Sequence, residues 1–421
     1  MARFLTLKYA GVHSTYWMYY GVISSFASVY LLAKEYTNSE IGVILALGNV
    51  VAVIMQPLVA DFADRSRRFS LTGISQFLTL ILLALSLIIM ATGRKAPIMA
   101  VAFVLATGLT AVLQPLFNSM CMKLQLLGGD VNFGLARGMG SCGYAVLCAI
   151  MGSLVEFAGV DILPVSGIVT GCMLFGCLML IKASARTLAQ GQAQREAYSG
   201  AATTGGRLEV PKTGAAGGKT LRREEPEEIN LIDFIKRNRV FMIINLGVLG
   251  IFFSNSIFNN YMMQILQEVG GTSKDMGQVF ALMAFLEIPV MLVFGYIRRY
   301  VSCQLILKIA SIFFVLKIFV CYMAKSVATI YAIQFFQLVS FALFLPAMVV
   351  FINEIMDQGE AVKGQAFYTT TITVTTVISS LVGGVILDLS GARMLTLVAT
   401  IVTLIGALIV CFSVDKVKAV R

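Results

Sequence analysis

Apolar residues gather in twelve long runs, six before residue 184 and six after residue 238. Each is close to the roughly 20 residues a helix needs to cross the hydrocarbon core of a bilayer. The runs predict spans at 12–33, 40–62, 70–92, 97–122, 134–156, 161–183, 239–266, 275–297, 302–324, 327–352, 363–386 and 392–414. Between the sixth and seventh runs lies the longest polar stretch, 184–230, with "SGAATTGG", "TGAAGGKT" and "RREEPEE". Its composition reads as a flexible linker. The segment 228–239, "EINLIDFIKRNR", predicts a short surface helix with Leu231, Phe234 and Ile235 towards the headgroups. The pattern is that of an all-α membrane protein with twelve transmembrane helices in two six-helix pseudo-repeats. Its parts are an N-terminal bundle at 1–183, a cytoplasmic linker at 184–238 and a C-terminal bundle at 239–421.

Prolines carry the repeat as well. Pro57 and Pro115 fall inside the second and fourth spans, 58 residues apart, and Pro289 and Pro346 inside the eighth and tenth, 57 apart. Proline removes a backbone donor and bends a helix, so matched prolines predict matched bends. A basic loop follows the first member of each pair, "DRSRR" from Asp64 and "RRY" from Arg298. Gly134, Gly138 and Gly143 in the fifth span, and Gly383 and Gly384 in the eleventh, suit close helix packing. Two six-span halves of this kind are an architecture of secondary transporters, in which the substrate site lies between repeats.

Composition excludes a water-soluble fold. Hydrophobic residues make up 58% of the chain and charged residues 13%, against about 25% charged in a soluble domain. The first run is too long for a signal peptide and lacks a small-residue cleavage motif, so it is read as a retained span. The net charge of +10 would suit nucleic acid, but its placement points to a bilayer instead. With both termini on one side, about 24 of the 32 Lys and Arg fall on that side and 6 on the other. That bias places the termini and linker in the cytoplasm, in the cell (inner) membrane. The eight cysteines (Cys121, Cys142, Cys148, Cys172, Cys177, Cys303, Cys321, Cys411) lie in or beside spans without metal-ligand spacing to the sole histidine, His13. They read as packing residues, and neither a metal nor a cofactor is expected. A nucleophile–base pair is not evident either, so an enzyme is not expected.

Charge inside a span costs about 2.5–3.5 kcal/mol at a helix centre, which singles out Arg137, Glu287 and Lys317. Glu287 lies mid-span, two residues before Pro289, and reads equally as a transport residue or half of an ion pair. Lys317 near the middle of the ninth span is open between a functional partner and snorkelling, and Arg137 in the first turn of the fifth has the same alternative. In the seventh span, "FFSNSIFNNYMMQ" places Ser256, Asn259 and Asn260 on one arc, with Asn255 and Asn259 four apart. These polar groups suit a cavity for a hydroxyl-rich solute, with hydrogen bonding between helices as the alternative. Gln334, Gln337 and Ser340 recur at three-residue steps in the tenth span. Tyr368 to Thr376 in the eleventh is rich in threonine, which can satisfy itself against its own helix. Tyr16, Trp17, Tyr19 and Tyr20 read as belt aromatics, with Trp17 also a candidate surface for a sugar ring.

The stretches "FGLARGMGSCGY" at 133–144 and "NSEIGVILALGNVVAVIMQPLVADFADRSRR" at 38–68 resemble the major facilitator superfamily. The likeness covers nearly the whole chain and is closer to the branch of lactose permease (oligosaccharide:proton symporters), phenylpropionate permeases and nucleoside symporters. It implies the major facilitator fold, with Asp64, Arg65 and Arg68 in the conformational loop motif, although Asp61 stands near an expected glycine. By resemblance, Arg137 matches the sugar-binding arginine of lactose permease. Tyr144 falls where an aromatic ring stacks on the galactosyl ring, and Ser141 lies on the same face. The departures are in the charges. The permease's fourth-span glutamate falls at Ser119, beside Asn118, and its tenth-span histidine and glutamate fall at Gln337 and Ser340. Its aspartate–lysine pair between the seventh and tenth spans falls at Asn259 and Gln334, a joint loss that leaves no lone buried charge. Lys317 falls at the ninth-span arginine, and Glu287 about one turn from the eighth-span acid.

These readings predict a secondary transporter of a small polar organic solute, first a sugar or glycoside, working by alternating access as a monomer. Glu287 is the proton carrier if transport is coupled, with Lys317 as its nearby positive charge. Arg137, Ser141, Tyr144, Asn118, Ser119, Ser256, Asn259, Asn260, Gln334 and Gln337 are the candidate substrate residues. The alternatives are an organic anion or aromatic acid held by Arg137 and Lys317, a nucleoside, or facilitation without a proton.

Overall fold

The structure, a computed structural model, describes residues 4–66, 70–204 and 231–417. It contains twelve spanning helices. The first, α1, runs as Leu5–Tyr20, a π turn Gly21–Ser25, and Ala27–Ala33. It is followed by α2 (Asn38–Arg65), α3 (Leu71–Ala91), α4 (Pro97–Leu126), α5 (Phe133–Ala158) and α6 (Ile162–Thr204). The second set is α7 (Arg239–Glu268), α8 (Ser273–Ile297) and α9 (Cys303–Met323), then α10, which runs as Val327–Ala332, a 3-10 segment Ile333–Leu338 and Phe341–Ile355. The rod Gln358–Ser413 breaks at Gly391, where φ is 77°; α11 precedes the break and α12 follows it. Among the described residues ten helices are individually long and apolar enough to cross a membrane. The count is ten because the π turn divides α1 and because α11 and α12 form one continuous run.

The repeat extends to the first turns of the helices. Thr37 and Glu40 form a reciprocal capping box at the start of α2, with the Thr37 N–H donating to Glu40 Oε2 at 2.9 Å. At the start of α8, the equivalent helix, the Thr272 N–H donates to Asp275 Oδ2 at 2.8 Å. The α3 and α9 helices both open on serine: Ser70 Oγ accepts from the Gly73 N–H and Ser302 Oγ from the Leu305 N–H. Each such cap satisfies a donor that has no partner within the helix. The four internal prolines lie inside α2, α4, α8 and α10, as the repeat predicts.

Three elements differ from the sequence reading. The sixth span does not end at 183 but continues as helix to Thr204. Its continuation, "ASARTLAQGQAQREA", is rich in strong helix formers, which outweigh the polarity that suggested a flexible chain. The rest of the linker, 205–230, lies outside the described residues. The surface helix forms at Leu231–Arg237, but Phe234 is fully buried, stacked on Phe367 of α11 at 5.4 Å, and so faces the protein rather than the headgroups. The tenth span is not one helix but is divided by its 3-10 segment. Three-residue steps are the period of a 3-10 helix, and Gln334 and Gln337 stand one such step apart within it.

Helix neighbours follow the duplication. In the first set α2 packs on α4, α3 on α6, and α1 on α5 and α6, while in the second α8 packs on α10 and α7 on the α11–α12 rod. The two sets meet along α5–α8 and α2–α11, the pairs that the repeat exchanges. The α5–α8 approach requires glycine on both sides: a Cβ at Gly277 would lie 2.3 Å from Cys148 O, and one at Gly152 would lie 2.6 Å from Ser273 O. Contact this close brings backbones into van der Waals range, which drives helix association in lipid. Both glycines are on the face opposite the termini, where the halves are clamped. Outward-facing Phe157, Leu292 and Phe412 are exposed, a surface suited to hydrocarbon.

Candidate functional site

Arg137, the fifth residue of α5, turns its guanidinium onto the Trp17 indole of α1, with Cζ 4.6 Å from the ring centroid. Cation–π contact of this kind stabilises a charge where water is scarce. Trp17 reaches α5 because position 140 is glycine; a Cβ there would lie 2.6 Å from Trp17 Cδ1. Tyr16, Tyr20 and Tyr144 surround the indole at centroid distances of 5.5, 5.1 and 6.3 Å. The Tyr144 hydroxyl pairs with Ser25 Oγ at 2.8 Å, tying α5 to the π turn of α1. Ser141, half-buried, lies four residues on from Arg137. Among the described residues no carboxylate lies within ion-pair distance of Arg137, and Trp17 Nε1, although buried, has no acceptor. Trp17 is therefore not a free platform for a sugar ring, because the guanidinium covers a face of it.

Across the boundary, α8, α9 and α10 bring together one acid, one base and an amide. Lys317 Nζ donates to Gln337 Oε1 at 2.6 Å, and Gln337 Nε2 donates to Glu287 Oε1 at 2.8 Å. This amide orientation is the one that satisfies both charged neighbours at once. Lys317 is 2% exposed, over the Phe258 ring at 4.8 Å, so it does not snorkel. Glu287 is half-buried and within electrostatic reach of Arg137 on the opposite half. Pro289, two residues on, leaves the carbonyl of Phe285 without its usual helical donor, a local loosening beside the acid.

The polar arc of α7 divides. Ser256 pairs with Thr376 Oγ1 at 3.2 Å, and Asn260 Nδ2 donates to Ser380 Oγ at 2.8 Å, so both join α7 to α11. Asn259 is exposed, and the helix departs from α geometry two residues later at Tyr261. Broken helices are where transporter sites are built. Gln334 is fully buried and donates to Ile330 O at 2.8 Å; it is not joined to Asn259. The threonines of α11 do bond their own helix: Thr369, Thr371, Thr373, Thr375 and Thr376 each donate to the carbonyl four residues earlier.

Asn118 and Ser119 are exposed on α4, and no hydrogen bond links either to Arg137 among the described residues. Arg65 pairs with Asp61 of its own helix at 2.7 Å; the side chain of Asp64 and all of Arg68 lie outside the described residues. Two polar features escaped the sequence reading. His13 is buried with Nε2 3.0 Å from Tyr9 Oη, and Tyr9 in turn donates to Phe117 O at 2.7 Å, which leaves His13 Nδ1 as an acceptor without a partner. Asp388 accepts from Asn38 and Ser39 of the other half. Tyr9 and His13 stand four apart, a spacing that local sequence could have offered, whereas Phe117 and the Asp388 partners Asn38 and Ser39 are distant in sequence and only packing brings them in.

A family model described as the MFS_1 like family matches residues 9–414. Among curated proteins none matches the chain. Solved structures share the fold at low identity. The nucleoside transporter NupG, as a point mutant, has a TM-score of 0.75 at 12% identity, covering 97% of this chain and 99% of that one. An auto-inhibited POT family peptide transporter gives 0.70 at 11%, covering 99% and 98%. A bacterial homologue of the human lysosomal transporter Spinster gives 0.68 at 11%, covering 99% and 97%.

Proposed function

Because the chain belongs to the MFS_1 like family and is a multi-pass secondary transporter of the major facilitator type, we propose that it carries a small polar organic solute, a sugar or glycoside, through a site between its halves. The observation that carries this reading is the Lys317–Gln337–Glu287 chain in the second half, within electrostatic reach of Arg137 in the first. Arg137, Ser141, Asn259 and Gln337 offer hydrogen bonds to hydroxyls, with Tyr144 as the apolar neighbour and Asn118 and Ser119 beyond. The halves rock about this site, and the structure is the state clamped on the face opposite the termini.

Glu287 is the proton carrier in this reading. Its counter-charge Lys317 is held one amide away, so gain or loss of a proton changes the electrostatics of the whole chain. The charge bias along the sequence supports cytoplasmic termini in a cell (inner) membrane. Uptake into proteoliposomes with and without an imposed pH gradient tests the coupling. Glu287→Gln is expected to abolish gradient-driven accumulation while keeping solute counterflow. Unchanged accumulation in that variant would falsify the proton assignment and leave facilitated transport.

A further inference from the structure

The candidate site holds two bases, Arg137 and Lys317, and one acid, Glu287. The structure divides them unequally. Lys317 and Glu287 are linked through Gln337 in the second half. Arg137 stands outside that pairing, with an aromatic ring but no carboxylate within ion-pair distance among the described residues. An uncompensated charge in low dielectric is costly, and the cost is relieved only by an opposite charge with good geometry. A second donor beside it, Trp17 Nε1, is buried with no acceptor. A cation and an N–H that both lack acceptors specify a ligand group that only accepts hydrogen bonds and carries negative charge. The aromatic ring of Trp17 cannot supply that charge; it only makes the empty state tolerable.

We propose that Arg137 and Trp17 form the carboxylate-binding subsite, so that the transported solute is an organic monoanion. This rests on the transporter reading above and narrows its solute to one bearing a single carboxylate. The guanidinium offers two parallel donors to the carboxylate, and the indole N–H is placed to donate a third. Gly140 is part of the subsite, because it allows the indole to lie against α5. With the monoanion bound, Arg137 gains the carboxylate partner that it lacks, independently of the Lys317–Gln337–Glu287 chain. The neutral groups of the second half remain free to recognise the rest of the solute.

The test uses matched acid–amide pairs, glucuronate with glucuronamide and phenylacetate with phenylacetamide, bound to the full-length protein in detergent. Trp17 is the single tryptophan of the chain, so its emission reports the sugar-frame ligands directly, and a thermal shift reports both frames. On at least one frame the acid is expected to bind roughly tenfold or more tighter than its amide, the scale of charge-assisted hydrogen bonds. Arg137→Gln should bring acid and amide within about twofold, and Trp17→Phe, read by thermal shift, should weaken the acid several-fold more than the amide. If Arg137→Gln does not fold, Arg137→Lys serves, and should lose most of the acid preference while keeping the charge. An amide that binds as tightly as its acid, or an acid preference that survives substitution of Arg137, overturns the proposal and leaves the transporter reading intact. Binding by neither member on either frame overturns the proposal together with the solute reading it rests on.

Discussion

The carboxylate of Asp388, at the end of α11, caps the first turn of α2, which opens at Asn38. It accepts the Asn38 N–H at 3.0 Å, the Asn38 Nδ2 at 2.9 Å and the Ser39 N–H at 2.7 Å, while Asn38 Oδ1 accepts from Gln264 of α7 at 3.0 Å. A negative charge at a helix N-terminus is favourable through both the free N–H groups and the helix dipole. Here the helix and its cap belong to opposite halves, so the interaction exists only while that face is closed. Asp388→Asn is expected to weaken the closed state by about 1 kcal/mol, a roughly fivefold change in population. Spin labels on cysteines introduced at Glu35 and Ser390 should show the short-distance population falling. An unchanged distribution would show that the cap contributes nothing to closure.

Lys317→Met should destabilise the fold by about 3 kcal/mol, because it strips Gln337 of its donor and removes the positive charge linked to Glu287 through that amide. Adding Glu287→Gln to that variant should restore much of the loss, since the remaining groups are neutral. Thermal unfolding of the two single variants and the double completes the cycle. Additive losses would mean that the amide does not couple the pair.

Gly140→Ala places a methyl group against Trp17 Cδ1 and is expected to cost about 1–3 kcal/mol through overpacking. The indole must move away from Arg137, so the emission of the sole tryptophan should shift to the red as water reaches it. Gly138, where a Cβ would meet nothing within 4 Å, is the control: Gly138→Ala should leave emission unchanged.

Asn259 and Asn260 are neighbours with separable roles. Asn260→Ala removes the bond to Ser380 and should lower thermal stability by about 1 kcal/mol with little change in KM. Asn259→Ala removes no side-chain hydrogen bond seen among the described residues and should raise KM with stability unchanged. Transport kinetics and unfolding temperature measured on both variants decide the assignment, and a reversed pattern would exchange their roles.

The spans were legible because hydrocarbon demands long apolar runs, and the duplication because prolines and the basic loops after them recur at matched places. Glu287 and Lys317 stood out through the cost of charge in a membrane, and Arg137 through both that cost and its motif. The partners were another matter. Trp17 and Arg137 are far apart in the chain, and only the packing of α1 on α5 brings them together. Ser256, Asn260 and Asn259 have the same local chemistry, yet two face α11 and one does not, a division that depends on helix rotation rather than composition. The helical continuation of α6 was hidden for the opposite reason: its residues favour a helix individually but show no apolar stripe.

The amide between Lys317 and Glu287 has a consequence for the route a proton can take. Gln337 carries a donor and an acceptor but no group that exchanges protons readily, so it insulates the base from the acid while letting each feel the other's charge. It behaves as the dielectric of a small capacitor rather than as a wire. In the proton-coupled reading proposed above, a proton would reach Glu287 from the aqueous side or with the solute, and Lys317 would set the energy of that arrival without handing the proton over.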